Sequence, residues 1–156
     1  MTPAINLAKK LKIAHTVHEY AHDPDSDSYG LEAAEKLRVS PERVFKTLVV
    51  SMDTGELVVA VIPVSSMLSM KLIARSVGAK KAEMASRSDA ERSSGYVLGG
   101  ISPMGQRKRL KTIIHVTAKI YPTVYVSAGR RGLEIELSPE DLRKSVNGKY
   151  AEICQR

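Results

Sequence analysis

The spacing of apolar positions changes repeatedly along this chain, and each change predicts an element. Near the start, Ile5, Leu7, Ala8 and Leu11 share one side of a helix; Thr2 is placed to cap it and Pro3 occupies its first turn. Ala14 to Tyr20 reads as a strand, and the polar stretch His22 to Gly30, with Asp23-Pro24-Asp25-Ser26-Asp27, reads as a loop. Leu31 to Leu37 predicts a short helix and Ser40-Pro41 a turn. Val44 to Met52 and Glu56 to Val64 are apolar runs hinged at Asp53-Thr54-Gly55, an antiparallel hairpin. A helix over Ser69 to Val77 has Ser69 as its cap and Gly78 at its end. Ser88 to Arg92 reads as one more helical turn, capped by Ser88, with Asp89 and Glu91 near its positive end. Thr112 to Val116, Thr123 to Val126 and Leu133 to Leu137 are β-rich, with Ser127 to Gly132 turning between the last two. Ser138-Pro139-Glu140-Asp141 opens a final helix that Gly148 closes. Strands and helices mix without regular βαβ alternation, which predicts an α+β domain with a mixed sheet and flanking helices.

A length of 156 residues predicts one domain over 1–156, large enough to bury about two-thirds of its unfolded surface without a disulfide or metal. The single cysteine, Cys154, cannot form an internal disulfide, and its place near the C-terminus reads as a passive thiol rather than a nucleophile. Lys9, Lys10 and Lys12 break the apolar positions at the N-terminus, so no signal peptide is read there. With no run of membrane-spanning length, a soluble cytoplasmic protein with no membrane partner is the expectation.

The net charge of +7 changes the picture. It favours an anionic partner, with nucleic acid the usual candidate, over a purely solubilising role because the cations cluster. Lys80-Lys81, Arg107 to Lys111, Arg130-Arg131 and Arg143-Lys144 form four such clusters. Six Tyr, one Phe and no Trp are too few for a base-stacking platform, so contact with backbone phosphates fits better.

The segment Gly95 to Pro103 carries two consecutive glycines, Gly99-Gly100, just ahead of the basic run. Such a turn exposes backbone N–H groups to a ligand, although most glycine turns are only turns. Lys46 lies mid-strand and shares a face with Val44 and Leu48. It belongs either on an exposed edge or in a polar pocket, because a lysine without a partner is costly to bury. Tyr20 and Tyr29 flank the acidic loop as core rings or pocket walls. Glu134 and Glu136 alternate with Leu133, Ile135 and Leu137 as a solvated strand face, unless one of them meets a pocket lysine. His18 and His22 have the spacing of a helical zinc pair but sit in strand-like sequence before Pro24. No metal or other cofactor is expected. There is no phosphate-binding loop of the G-x-x-x-x-G-K type, no G-x-S-x-G elbow and no Cys/His dyad.

The sequence resembles the YbaK/EbsC family, free-standing Cys-tRNA(Pro) deacylases related to the editing domain of prolyl-tRNA synthetases. The resemblance runs almost end to end: Met1-Thr-Pro-Ala, the Tyr20 to Gly30 loop, Ala33 to Leu37, Phe45-Lys46-Thr47-Leu48, Lys80-Lys81, Gly95-Tyr96, Gly99-Gly100-Ile101-Ser102-Pro103, Gln106-x-Lys108-Arg109, Tyr125-Val126-Ser127 and Arg131-Gly132-Leu133. It implies a single α+β domain built around a mixed, curved β-sheet. It implies removal of cysteine from mischarged tRNA(Pro) in trans, with prolyl-tRNA synthetase as partner, no DNA and no cofactor. Lys46 matches the family's essential pocket lysine, and Gly99 and Pro103 match its G-x-x-x-P loop. On that basis Lys46, Gly99, Gly100 and Ile101 are the catalytic set, while Tyr20, Tyr29, Thr47, Ser102, Pro103, Ser127 and Glu136 bind substrate. Lys80, Lys81, Arg107, Lys108, Arg109, Arg130 and Arg131 would hold tRNA. Ala128 stands where the family often has glycine. The family chemistry uses the substrate's own thiol as nucleophile, consistent with a chain lacking a catalytic cysteine, triad or metal. Two alternatives remain at this stage: an editor of another residue, such as alanine, that uses water, and a non-catalytic module that binds tRNA or the synthetase.

Overall fold

The computed structural model describes residues 1–26 and 28–156; Asp27 of the expected loop lies outside them. The N-terminal helix α1 (Pro3–Lys10) starts as the sequence predicts. Thr2 Oγ1 accepts the Ile5 amide, and Ala4, Ile5 and Ala8 are buried. Next come β1 (His15–Glu19), α2 (Tyr29–Leu37) and a 3₁₀ turn at Pro41–Arg43. The hairpin forms from β2 (Phe45–Met52) and β3 (Leu57–Pro63), in the register Phe45 with Pro63 through Ser51 with Leu57. After it lie α3 (Met70–Ser76), β4 (Ala82–Met84), α4 (Arg87–Ser94) and β5 (Lys111–His115). A 3₁₀ turn (Val116–Ile120), β6 (Val124–Arg130), β7 (Leu133–Leu137), α5 (Pro139–Ser145) and β8 (Lys149–Ala151) complete the chain.

The fold is α+β, as expected, and its strands divide into two sheets. One has three antiparallel strands in the order β1-β7-β6, and the other is mixed, in the order β4-β2-β3-β5-β8. β3 pairs in parallel with β5, and β5 with β8. A single bridge between Val44 and Tyr125 joins the sheets. All of Val58 to Ile62 on β3 is buried, so this strand is covered on both faces. Val59 and Val61 point into the core shared with α1, β6, β7 and Leu142 of α5. Val58, Ala60 and Ile62 meet Ile73 and Ala74 of α3 and the C-terminal Ile153.

Several boundaries differ from the sequence reading for local reasons. Helix α4 is capped by Ser86, whose Oγ accepts the Asp89 amide, rather than by Ser88. The expected turn over Ser127 to Gly132 is mostly strand. β6 runs to Arg130 through an irregularity between Ser127 and Arg130, where Gly129 takes φ +119°. The short edge strands β4 and β8 went unforeseen, because three residues are too few to carry a strand signal of their own. They exist because Val50 to Met52 and Ile113 to His115 offer them ladders.

The consequence that matters for the site is an uncovered edge. β4 pairs only with Val50, Ser51 and Met52 and adds the bond from the Ala85 amide to the Val49 carbonyl (3.0 Å). Thr47 lies two residues before Val49, so its main-chain N–H and C=O face the same edge. There they have no strand partner among the described residues.

Candidate active site

A cavity of about 350 Å³ opens against this edge. Phe45 to Leu48 of β2 line it, with Tyr29, Gly30 and Ala33 of α2, Leu98, Gly99 and Ile101 of the glycine loop, and Ser127 and Glu134 from the three-stranded sheet. Tyr20 and Arg131 also line it. Lys46 is half-buried here, and its positive charge also acts on the Cys154 thiol. Burial dominates at that thiol and pushes it up to about 11, leaving a neutral S–H buried away from the cavity lining. The Thr47 hydroxyl is buried and has no hydrogen-bond partner among the described residues.

The glycine loop is held on several sides. Gly100 donates its amide to the Val97 carbonyl (3.0 Å), and its own carbonyl accepts the Ser127 hydroxyl (3.1 Å). Ser127 Oγ in turn accepts the Gly129 amide (3.1 Å). The Leu98 amide donates to Glu91 Oε2 (2.8 Å). Of the three amides proposed from the sequence, Gly100's is therefore spent inside the loop. Those of Gly99 and Ile101 have no acceptor among the described residues. Gly99 takes φ +92°, and a side chain there would stand 3.1 Å from the Tyr29 ring.

Ser102, Pro103 and Glu136 stand away from this cavity. Ser102 is fully buried, its hydroxyl accepting the Met104 amide (3.2 Å). Pro103 lines a second cleft. Glu136 accepts from His18 Nε2 (2.9 Å) and Thr123 Oγ1 (2.6 Å), with Arg43 at 3.9 Å. Burial raises the pKa of Glu136, but the bonds from Thr123, His18 and Tyr125 outweigh this and keep it below the usual carboxylate range. The carboxylate that does line the cavity is Glu134, which the sequence reading left on a solvated face. It is 6 % exposed and has no hydrogen-bond partner among the described residues. Burial pushes its pKa up to about 8, and its charge, after burial, helps raise that of Tyr20.

The expected tRNA-binding cations are dispersed. The Lys80 and Lys81 amides are both tied to Asp53 Oδ1 (3.1 Å each). Arg107, Lys108 and Arg109 are exposed, while Arg130 pairs with Glu19 at 3.7 Å. Arg131 serves as scaffold. It pairs with the buried Glu32 (3.2 Å), donates to the Asp23 and Ser26 carbonyls, and stacks on the Tyr29 ring at 4.4 Å. It thereby ties Asp23 and Ser26 to Glu32 and Tyr29 of α2. Among the described residues, no three His, Cys, Asp or Glu side chains gather as a metal site, and no helix is long and apolar enough to cross a membrane.

A buried carboxyl with a raised pKa has a thermodynamic signature. The native state holds a proton on Glu134 that the unfolded chain has released, so this contribution is full below about pH 4.5 and lost as pH rises through about 8. Glu134→Gln is expected to remove that decline and to stabilise the protein near pH 8.5 by an amount on the order of 3 kcal/mol. Urea midpoints of both proteins across pH 5 to 8.5 measure it. Parallel curves would refute the buried, protonated carboxyl.

Comparison with known proteins identifies the family and the fold. Residues 23–145 match the family described as the aminoacyl-tRNA editing domain. The chain is 40% identical over 156 residues to the "Putative Cys-tRNA(Pro)/Cys-tRNA(Cys) deacylase EbsC" of Enterococcus faecalis, covering 99% of this chain and 94% of that protein. Among solved structures, the hypothetical protein APE2540 superposes with a TM-score of 0.87 at 22% identity, covering 98% and 99% of the two chains. A "putative trans-editing enzyme for prolyl tRNA synthetase" superposes with a TM-score of 0.82 at 18% identity, covering 100% and 99%. Both share the fold. With most of its length matched and a curated relative well above 30% identity, the chain belongs to the aminoacyl-tRNA editing domain family.

Proposed function

We propose that this chain clears cysteine from mischarged tRNA(Pro) in the cytoplasm, acting in trans as one domain beside prolyl-tRNA synthetase. The observation that carries this reading is the cavity itself. It joins Lys46, Gly99, Ile101 and the buried Glu134, and the Gly99 and Ile101 amides have no acceptor among the described residues, yet Cys154, the chain's sole thiol, lies outside its lining. Such a site supplies placement and charge stabilisation and leaves the nucleophile to the substrate.

In the proposed reaction the cysteine thiol of the substrate gives up its proton and the sulfur attacks the ester carbonyl carbon. Negative charge gathers on the carbonyl oxygen, where the Gly99 and Ile101 amides serve as donors. The carbon–oxygen bond to the terminal ribose then breaks, and the ribose oxygen takes a proton. The products are free tRNA and the cyclic thiolactone, with no water consumed. Glu134 can accept the thiol proton and return it to the leaving oxygen only in its ionised form, a minority at pH 7 with its pKa pushed up to about 8. Lys46 orients the ester through its cation, and Thr47 offers its edge main chain to the bound aminoacyl group. Proline carries no thiol and cannot enter this path.

The test is deacylation of Cys-, Ser- and Ala-tRNA(Pro) side by side. Rapid loss of the cysteinyl ester alone, with thiolactone recovered, is the expected result. Equal loss of the alanyl ester would replace it with a water-using editor. No turnover of any of the three would leave a binding module.

A further inference from the structure

A second cleft, about 530 Å³, lies between the segment Pro103 to Leu110 and the C-terminal end of α5. Its lining includes Lys108 and Arg109 from one wall and Lys144, Ser145 and Asn147 from the other, with Gln106 between. Among the described residues no carboxylate lines it, although the chain carries 17 Asp and Glu. Lys108, Arg109 and Lys144 have no carboxylate within 4.0 Å among the described residues, whereas Lys111 and Arg143, next in sequence to lining residues, are each paired.

Both walls are fixed in advance. The Arg107 and Lys108 amides bond the Ser94 and Ser93 carbonyls at the end of α4 (3.0 and 2.9 Å). Gln106 Nε2 donates to the Ser102 carbonyl (2.9 Å), and the Tyr96 hydroxyl donates to the Met104 carbonyl (2.6 Å). On the other wall three carbonyls at the end of α5 are spent: those of Leu142, Arg143 and Lys144 accept the amides of Val146, Gly148 and Asn147. The Ser145 and Thr112 hydroxyls are spent on the Leu142 and Leu110 carbonyls (2.8 and 3.1 Å), so three cations with the side-chain amides of Gln106 and Asn147 form the preset group, which matches a chain of phosphates. The glycine loop links the two sites. Gly99 and Ile101 line the cavity and Pro103 lines the cleft, so four residues, at most about 14 Å of chain, separate them.

The geometry points to this cleft as the seat of the phosphodiester backbone of the RNA whose 3′ end enters the cavity, with Lys144 of α5 as a phosphate ligand alongside Lys108 and Arg109. This rests on the proposed function, and binding is read apart from catalysis so that either can fail alone. Affinity for uncharged tRNA is measured by fluorescence anisotropy against salt concentration. Replacing Lys108, Arg109 and Lys144 together with Gln is expected to weaken binding at least tenfold and to lower the slope of log K on log salt by about 2 to 3, near 0.9 per lost phosphate contact. Lys144→Glu alone, on its separate wall, should weaken binding severalfold. Removing three exposed charges elsewhere, Arg87, Arg92 and Arg156, should change the affinity by less than twofold. An unchanged slope in the triple Gln variant would overturn the proposal even with full deacylation in the wild type. A reduced slope would support it even if no ester were cleaved. Replacing chloride with inorganic phosphate at fixed ionic strength separates a strand site from a small-anion site: displacement of tRNA by millimolar phosphate would assign the cleft to a free anion and overturn the strand.

Discussion

Lys46→Ala is expected to lower kcat/KM on Cys-tRNA(Pro) by at least about 100-fold, in the range found when a charge-stabilising group is removed from an active site. The protein should stay folded. β2 is held by main-chain bonds to β3 along seven residue pairs, none of which needs the Lys46 side chain. The position is half-buried, so truncation to alanine costs about 1 kcal/mol or less. The argument for a large catalytic effect is geometric. The lysine sits where the hairpin has lost its neighbouring strand, between the end of β4 and the Val44–Tyr125 bridge, and its cation is the one that β2 brings to the cavity. An anionic carbonyl oxygen or a terminal phosphate in that cavity would lose its nearest positive side chain on β2. Single-turnover deacylation, with circular dichroism and thermal melting as the fold control, reads both quantities together. Full activity in a folded variant would remove Lys46 from the mechanism.

Sequence reading succeeded where structure is local and failed where it depends on distant neighbours. Thr2, Ser69 and Ser138 each accept an amide three residues on, so their helix starts are written in adjacent residues. Ser88 reads as the cap of α4 because it precedes the acidic turn, but the residue whose Oγ accepts the Asp89 amide is Ser86, two positions earlier. Glu134 and Glu136 show the limit most sharply. Two residues apart on β7, they share a face by strand periodicity, and no pattern along the chain distinguishes them. They part only through their neighbours: Glu134 pairs in register with His18 of β1 and, on the other side, with Ser127 beside the β6 irregularity, where the cavity lies. Glu136 pairs with Thr16 and Tyr125 and falls among His18, Thr123 and Arg43. Arg131 was similarly opaque. As a basic residue in a basic pair it reads as an RNA contact, and only the fold brings Glu32, from 99 residues earlier, against it.

Gly100→Ala is expected to be nearly as damaging as the loss of Lys46, through position rather than charge. Gly100 does not take a left-handed backbone, so an alanine there carries no intrinsic strain. The obstacle is outside the residue. A Cβ at this position would lie 2.7 Å from Arg130 Cα and 3.1 Å from both the Arg130 carbonyl carbon and the Arg131 amide nitrogen. These are backbone atoms at the end of β6, and they cannot rotate aside. The loop must therefore move, which pulls the Gly100 carbonyl from the Ser127 hydroxyl and shifts the amides of Gly99 and Ile101 on either side. A displacement on the order of 1 Å of groups that position a reacting carbonyl costs about 100-fold in rate. Because the loss falls on orientation in the transition state, kcat should drop while the affinity for uncharged tRNA stays within about twofold. Gly55→Ala is the matched control. That glycine takes φ +89° in the hairpin turn with nothing within 4 Å, so alanine there costs about 1 kcal/mol of stability and leaves deacylation intact. Steady-state kinetics and melting curves on the two variants separate the alternatives. If Gly100→Ala retained full kcat, the glycine loop would have no part in holding the ester, and the rate would rest on Lys46 and Glu134 alone.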